Sequence, residues 1–233
     1  MIEEEVWDSV FFGRKIGRLN SVPAGNALRK YLQQAAANGY AYLTCRIVLE
    51  KISEIQHLEK HGFYVTDIGA VWERKAGPIP EPSILVREAN LKDGPLLRKI
   101  SRGLFKDGRF YNDPFFTCDE AEKLYRAWID GSLNDKDVKT FVVVKKGFIT
   151  CKRLSRNKGD IPLVGVIAGE QGKGIGSSLV NKALDWFKKT GIKTVTVRTQ
   201  ANNIRAMNFY KGLGFSVKYV DVTMGKMLKE EIR

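Results

Sequence analysis

The sequence is short of the residues that build metal centres and disulfide frameworks. Its 233 residues hold two histidines and three cysteines. The cysteines (Cys45, Cys118, Cys151) are odd in number, far apart and fit no CxxC or zinc spacing. Free thiols in a reducing compartment are therefore expected, and no metal. The histidines, His57 and His61, read as packing or surface residues. Long apolar runs are missing too. None approaches the roughly 20 residues of a membrane-spanning helix, and the acidic start MIEEEVWDS lacks the apolar core of a secretory leader. A soluble, cytoplasmic protein with no membrane partner is expected. Acidic residues are the scarcer sign, 26 against 39 basic, for a formal net charge of +13. That excess favours an anionic partner. It is spread along the chain, densest from Lys145 to Lys158, and no basic motif interleaved with aromatics appears. A phosphorylated small molecule fits better than nucleic acid.

Proline is rare but clustered, with three of seven in KAGPIPEPS (75–83). Proline denies both helix interior and central strand, so this stretch reads as a linker between residues 1–78 and 79–233. After it come a strand-like ILVRE (84–88), a helix over about 91–104, and an aromatic loop GRFYNDPFF (108–116). A second helix over 119–133 carries Leu124, Tyr125, Trp128 and Ile129 at helical spacing. FVVV (141–144), FITCKRL (148–154) and IPLVGVIAG (161–169) read as consecutive strands. Directly after them stands EQGKGIGSSL (170–179), with Gly172, Gly174 and Gly176 at alternate positions. Ile175, Leu179, Val180, Ala183 and Phe187 then recur at helical period as far as Gly191. TVTVRT (194–199) reads as a strand, 203–213 as a helix, and 215–228 as two short strands or one bent one.

The glycine run lies between a strand and a helix, where uncapped amides point outward and the helix dipole attracts anions. It is neither a Walker A loop, since Lys173 is followed by Gly174, nor a GxGxxG dinucleotide fingerprint.

With NNIRAMNFYKGLGF (202–215), this loop resembles the GCN5-related N-acetyltransferase (GNAT) family. Gln171, Gly174 and Gly176 match that family's Q/R-x-x-G-x-G/A loop. Asn203, Ala206, Tyr210, Gly214 and Phe215 match its N-x-x-A-x-x-x-Y-x-x-x-G-F helix, and the likeness covers about residues 84–228. A narrower likeness runs through WDSVFFGRKIGRL (7–19), GRFYNDPFF and LYRAWIDGS (124–132). It is to bacterial members that acetylate dTDP-linked 4-amino-4,6-dideoxyhexoses for lipopolysaccharide or other surface glycans. The resemblance implies an α/β GNAT fold, a mixed central sheet flanked by helices, behind a smaller N-terminal α/β domain. Acetyl-CoA is the implied co-substrate. Backbone of Val166, Ile167 and Ala168 would pair with pantetheine, and one of these amides could serve the oxyanion. Gln171, Gly172, Lys173, Gly174, Ile175, Gly176 and Ser177 would take the pyrophosphate. Asn203 would touch the pantetheine arm, Phe209 would line the CoA side, and Tyr210 would be the general acid. No general base is evident. Asp160 lies too early, ahead of the strand, and ordered water is the modest substitute. On the acceptor side Arg109 would face a diphosphate, and Phe110 and Tyr111 would stack a base. The acceptor is then a nucleotide-linked amino sugar, with a protein, peptide or other small amine as the alternative. A homodimer is a candidate assembly.

The first domain holds a degenerate copy of the second. Sliding by 152 positions (214 minus 62) pairs Gly62-Phe63 with Gly214-Phe215, Gly39 with Gly191, Thr44 with Thr196 and Arg46 with Arg198. The order of elements also agrees: helix, glycine, strand, helix, GF, strand. Leu58 replaces Tyr210 and Lys51 replaces Asn203, so this half is expected to bind no CoA and to shape the acceptor site.

Overall fold

The computed structural model describes residues 2–228. The N-terminal half runs β1 (Ile2–Glu4), α1 (Val6–Phe12), β2 (Ile16–Leu19), α2 (Ala27–Ala37), β3 (Tyr42–Val48), α3 (Ile52–Glu59) and β4 (Tyr64–Lys75). After the proline-rich linker come β5 (Arg87–Glu88), α4 (Gly94–Ser101), α5 (Arg109–Asn112), α6 (Cys118–Asn134), β6 (Val138–Val143) and β7 (Gly147–Arg153). The chain ends with β8 (Lys158–Ile161), β9 (Val164–Val166), α7 (Ile175–Lys189), β10 (Thr194–Gln200), α8 (Ile204–Gly212) and β11 (Ser216–Met227). The third strand read from sequence, 161–169, holds β9 and only the last residue of β8, which begins three residues earlier and stops before Pro162. The tail is one long strand with two bulges against β4.

All eleven strands join one mixed sheet, ordered β1-β2-β3-β11-β4-β10-β8-β7-β6-β5, with β9 against β7. The two halves therefore share a sheet, and each closes the other. β4 lies between β11 and β10, while β11 lies between β3 and β4. The repeat is visible in the element bounds. β3, α2 and β4 end at 48, 37 and 75, each 152 positions before the ends of β10, α7 and β11 at 200, 189 and 227. Ladder registers obey the same shift. Thr194 faces Lys75 and Gln200 faces Gly69 across β10–β4, and their counterparts Tyr42–Met227 and Val48–Asp221 face each other across β3–β11. Gly69 and Asp221, themselves 152 apart, are paired, so a pseudo-twofold axis passes between them.

Period-two alternation distributes the apolar strands β6 and β7 to both faces. Phe141, Val143, Ile149 and Cys151 pack with Leu179, Ala183 and Phe187 of α7, while Val142 and Phe148 pack with Leu97 of α4 and Ile129 of α6. Gly159 leaves the space that the Phe187 ring fills. α6 starts at a capping box, in which Thr117 Oγ1 accepts from Glu120 N–H and the Glu120 carboxylate accepts from Thr117 N–H. In the N-terminal half, Leu28, Leu32 and Ala35 of α2 and Ile55 and Leu58 of α3 cover Leu43, Cys45 and Ile47 of β3. No helix among the described residues is long and apolar enough to cross a membrane.

Candidate active site

Strands β8 and β10 run parallel only from Lys158–Thr194 to Ile161–Val197. Pro162 has no N–H to continue the ladder, and beyond it the chain stays on β7, shifted by one residue, as β9 while leaving β10. The two strands part, and a cavity of about 420 Å³ opens in the wedge. Asp160, Leu163, Val164, Thr199, Asn203 and Tyr210 line one side, and Arg46, Asp67, Phe105, Arg109 and Trp128 the other.

Beside the wedge, the glycine loop has the conformation its composition demands. Gly172 and Gly174 both sit at φ 79°, in the left-handed region that favours glycine. Space around Gly172 is open, and no side chain caps the first turn of α7. Its amides remain available to an anion. Lys173 and Lys146 both pair with Glu170 at 3.3 Å, which holds the loop's flank. A Cβ on Gly176 would press on the Phe209 ring at 3.2–3.3 Å, so this glycine seats Phe209 of α8 against α7. Open space, left-handed backbone and uncapped amides together fit a pyrophosphate.

The strand leading into this loop corrects one expectation. Ile167 N–H donates to Lys146 O at 3.0 Å and its carbonyl already accepts from Glu170 N–H at 2.9 Å, so its amide is not free to pair with pantetheine. Ala168 opens the following 3₁₀ turn. The free edge lies at the alternate residues Val164 and Val166, whose backbone groups point away from β7, and of the two Val164 lines the cavity. The Val166 carbonyl is itself held by Gln171 Nε2 at 2.8 Å, and Arg205 donates to the same Gln171 amide. Gln171 thus shapes the loop through its side chain.

Tyr210 is buried on α8 with its ring 5.7 Å from that of Phe215 and lines the cavity. Its hydroxyl makes no hydrogen bond among the described residues. Burial, then the charge of Asp160, push the phenol well above its usual range, so it stays protonated. Asp160 itself, set aside on sequence, lies in the same cavity. The β8–β10 register puts it opposite Thr196, whose Oγ1 donates to Asp160 Oδ1 at 2.6 Å. Burial raises this carboxyl too, although the Thr196 hydrogen bond opposes it. No sequence signal singled out Asp160, which precedes the strand read at 161–169; its neighbourhood needs the parallel register and the break at Pro162. Asn203 caps α8 by accepting from Ala206 N–H at 2.9 Å and also faces the cavity.

A profile of the acetyltransferase (GNAT) family matches residues 106–215. This region belongs to that family. The chain is similar to dTDP-fucosamine acetyltransferase of Escherichia coli, 23% identical over 93% of this chain and 94% of that protein. It is also similar to the spore coat polysaccharide biosynthesis protein SpsD of Bacillus subtilis, 27% identical over 59% of this chain but only half of SpsD. A GCN5-related N-acetyltransferase from Sphaerobacter thermophilus superposes with a TM-score of 0.67, covering 99% of this chain and 77% of that one at 16% identity. The family match thus spans residues 106–215, and the whole chain shares the fold of that structural neighbour.

On the acceptor side of the GNAT domain, the aromatic loop departs from expectation. Phe110 is 6% exposed, packed against Phe12, Phe116 and Trp128, so its faces cannot stack a base. Tyr111 stacks on Tyr125 beside a small recess near Arg98 and Arg126, outside the cavity. Both are packing residues, because the apolar surfaces of α1 and α6 reach them first. Of the three expected residues only Arg109 presents a polar head to the cavity, its guanidinium 4.5 Å from the Phe110 ring. The loop is tied to the N-terminal half through buried Asp113, which accepts from Tyr42 and Tyr64 hydroxyls and from Phe115 N–H.

Proposed function

We propose that the protein transfers the acetyl group of acetyl-CoA to the amine of a nucleotide-linked amino-deoxy sugar of the dTDP-4-amino-4,6-dideoxyhexose type. The observation that carries this reading is the wall of the wedge. Arg46 and Asp67 of the N-terminal half and Phe105, Arg109 and Trp128 enclose its acceptor side, which suits a small anionic molecule rather than a peptide in an open groove. Similarity to dTDP-fucosamine acetyltransferase extends through that same N-terminal half, which supports the sugar class.

When bound, acetyl-CoA supplies an activated thioester acyl group. The α7 amides and Gly172–Gly174 would hold its pyrophosphate, and Val164 or Val166 N–H would face the oxygen that gains charge. Asp160, a stronger base for its burial, would accept the proton of the incoming amine. Tyr210, kept protonated, would donate to the departing sulfur. The proton removed at one side of the wedge is thereby replaced at the other.

Assaying the nucleotide amino sugar, the free amino sugar and a lysine peptide side by side tests the reading. Turnover should be highest on the nucleotide sugar and much lower on the free sugar, because lost contacts to base and diphosphate also cost orientation of the amine. Preference for the peptide overturns it.

A further inference from the structure

The pseudo-twofold axis predicts a second wedge, and the structure contains one. In the N-terminal half β2 runs parallel to β3 from Ile16–Tyr42 to Arg18–Thr44, as β8 runs beside β10 from Lys158–Thr194. Beyond Arg18 the strands part around a cavity of about 260 Å³ lined by Leu19, Asn20, Thr44, Val48, Tyr219 and Asp221. Arg46 and Arg109 line this cavity and the catalytic one, so the two meet there.

The second wedge has exchanged acid–base chemistry for positive charge. Arg18 faces Thr44 where Asp160 faces Thr196. Leu58 stands in place of Tyr210, and no glycine loop precedes α2. Most telling is Arg46. Its counterpart Arg198 is clamped by Asp67 and Asp221, both at 2.6 Å. Under the 152-residue shift the partners due to Arg46 are Tyr219 and Gly69, neither of them acidic. Arg46 keeps one hydrogen bond, Nε to Thr223 Oγ1 at 3.3 Å, and its terminal nitrogens carry none among the described residues. Desolvation, then the like charges of Arg198, Arg109 and Arg18, lower its pKa, although Asp221 opposes them. The Arg109 guanidinium makes no hydrogen bond or ion pair among the described residues, and its Nε is buried without a partner. Two nearby carboxylates are engaged elsewhere, Glu5 with Arg18 at 2.5 Å and Asp221 with Arg198; Asp8 feels the charge of Arg109 but forms no ion pair with it among the described residues.

We propose that the second wedge binds the nucleoside diphosphate end of the acceptor, with the diphosphate on Arg46 and Arg109 at the junction and the nucleoside between β2 and β3 beside Tyr219. Two unpaired guanidiniums facing one space are suited to bidentate phosphate contacts. The sugar then projects past the junction toward Asp160 and Tyr210. This assignment rests on the nucleotide-sugar reading and fixes which surface reads the nucleotide.

Calorimetric titration of the full chain with dTDP, and separately with inorganic pyrophosphate, tests it. Arg46→Ala and Arg109→Ala should each weaken dTDP binding at least about tenfold. Acetyl-CoA affinity should remain within twofold of wild type, and Arg46→Lys and Arg109→Lys should fall between. Affinity for dTDP should also drop steeply with salt. Unchanged dTDP affinity in both alanine variants, with acetyl-CoA still bound, overturns the site. Pyrophosphate binding as tight as dTDP removes the nucleoside from the second wedge. If an alanine variant fails to fold, the lysine variants decide, since a dTDP affinity equal to wild type in both also overturns it. Tight dTDP binding through these arginines without acetylation of any nucleotide sugar defeats the functional reading and leaves this site standing. Turnover on the nucleotide sugar with a KM indifferent to both arginines does the reverse.

Discussion

Tyr210 and Asp160 show how far a residue's role depends on its neighbours. Replacing Tyr210 by Phe removes one hydroxyl from a buried ring and should leave acetyl-CoA affinity nearly unchanged while lowering kcat by about 10²–10⁴. Wild-type turnover in that variant would take Tyr210 out of the mechanism. Asp160 makes a prediction in pH. Burial raises its carboxyl above the ordinary 3.8, so kcat/KM should fall as pH drops through that raised value rather than near 3.8. The same shift carries a sign for stability. A folded pKa above the unfolded one contributes stability fully present below 3.8 and lost as pH rises through the folded value. Ionised Asp160 therefore costs stability at neutral pH. Asp160→Asn should melt no lower than wild type at pH 7 and turn over far more slowly, whereas a large fall in Tm would make Asp160 a structural residue. Tyr210 was legible because its motif is local to one helix. Asp160 was not, because its distance from Tyr210 is set by a ladder to a strand 36 positions later in the Asp160–Thr196 pair.

At the scale of elements, the glycine loop was readable for the same local reason, and its amides test it. Gly174→Glu puts a carboxylate at a φ of 79° beside the α7 amides and should abolish acetyl-CoA binding through charge and backbone strain together. Unchanged affinity by titration would place the phosphates elsewhere. The aromatic loop was misread because what covers Phe110 and Phe115 lies 98 and 73 positions away, in α1 and β3. Composition shows that such a loop is apolar, but not which surface claims it. Asp113 is the polar fastening of that contact, 1% exposed. Asp113→Ala leaves two tyrosine hydroxyls and the Phe115 amide without their acceptor, which should cost about 1–3 kcal/mol or more. Because the loop carries Arg109, the KM for the acceptor should rise while acetyl-CoA affinity holds. A variant that loses stability with an unmoved acceptor KM would separate the loop from the acceptor site.

For the whole molecule, the proline-rich linker and the repeat together suggest two domains in series, and the sheet shows why that reading is incomplete. A shift of 152 residues can be read from the sequence, but the exchange of closing strands cannot, because equivalent strands are interchangeable in sequence. β4 belongs by order to the first half yet bridges β11 and β10, and β11 returns to bridge β3 and β4. At the centre of the exchange Arg198 reaches Asp67 on β4 and Asp221 on β11 across the space that Gly69 leaves free. Parting the halves would expose β10, β4, β11 and β3 along their lengths and strand that ion triad. Open edges of this length invite aggregation, and removing one partner from a buried ion pair costs about 3–5 kcal/mol. Residues 1–78 and 79–233 expressed separately should each be insoluble or unfolded by circular dichroism. Produced together from a chain cut between Gly77 and Pro82, they should copurify as one particle that binds acetyl-CoA, because the linker itself lies outside the ladders. A monomeric, folded and acetyl-CoA-binding 79–233 fragment would show that the catalytic half completes its own sheet, and the exchange would then be incidental to its stability.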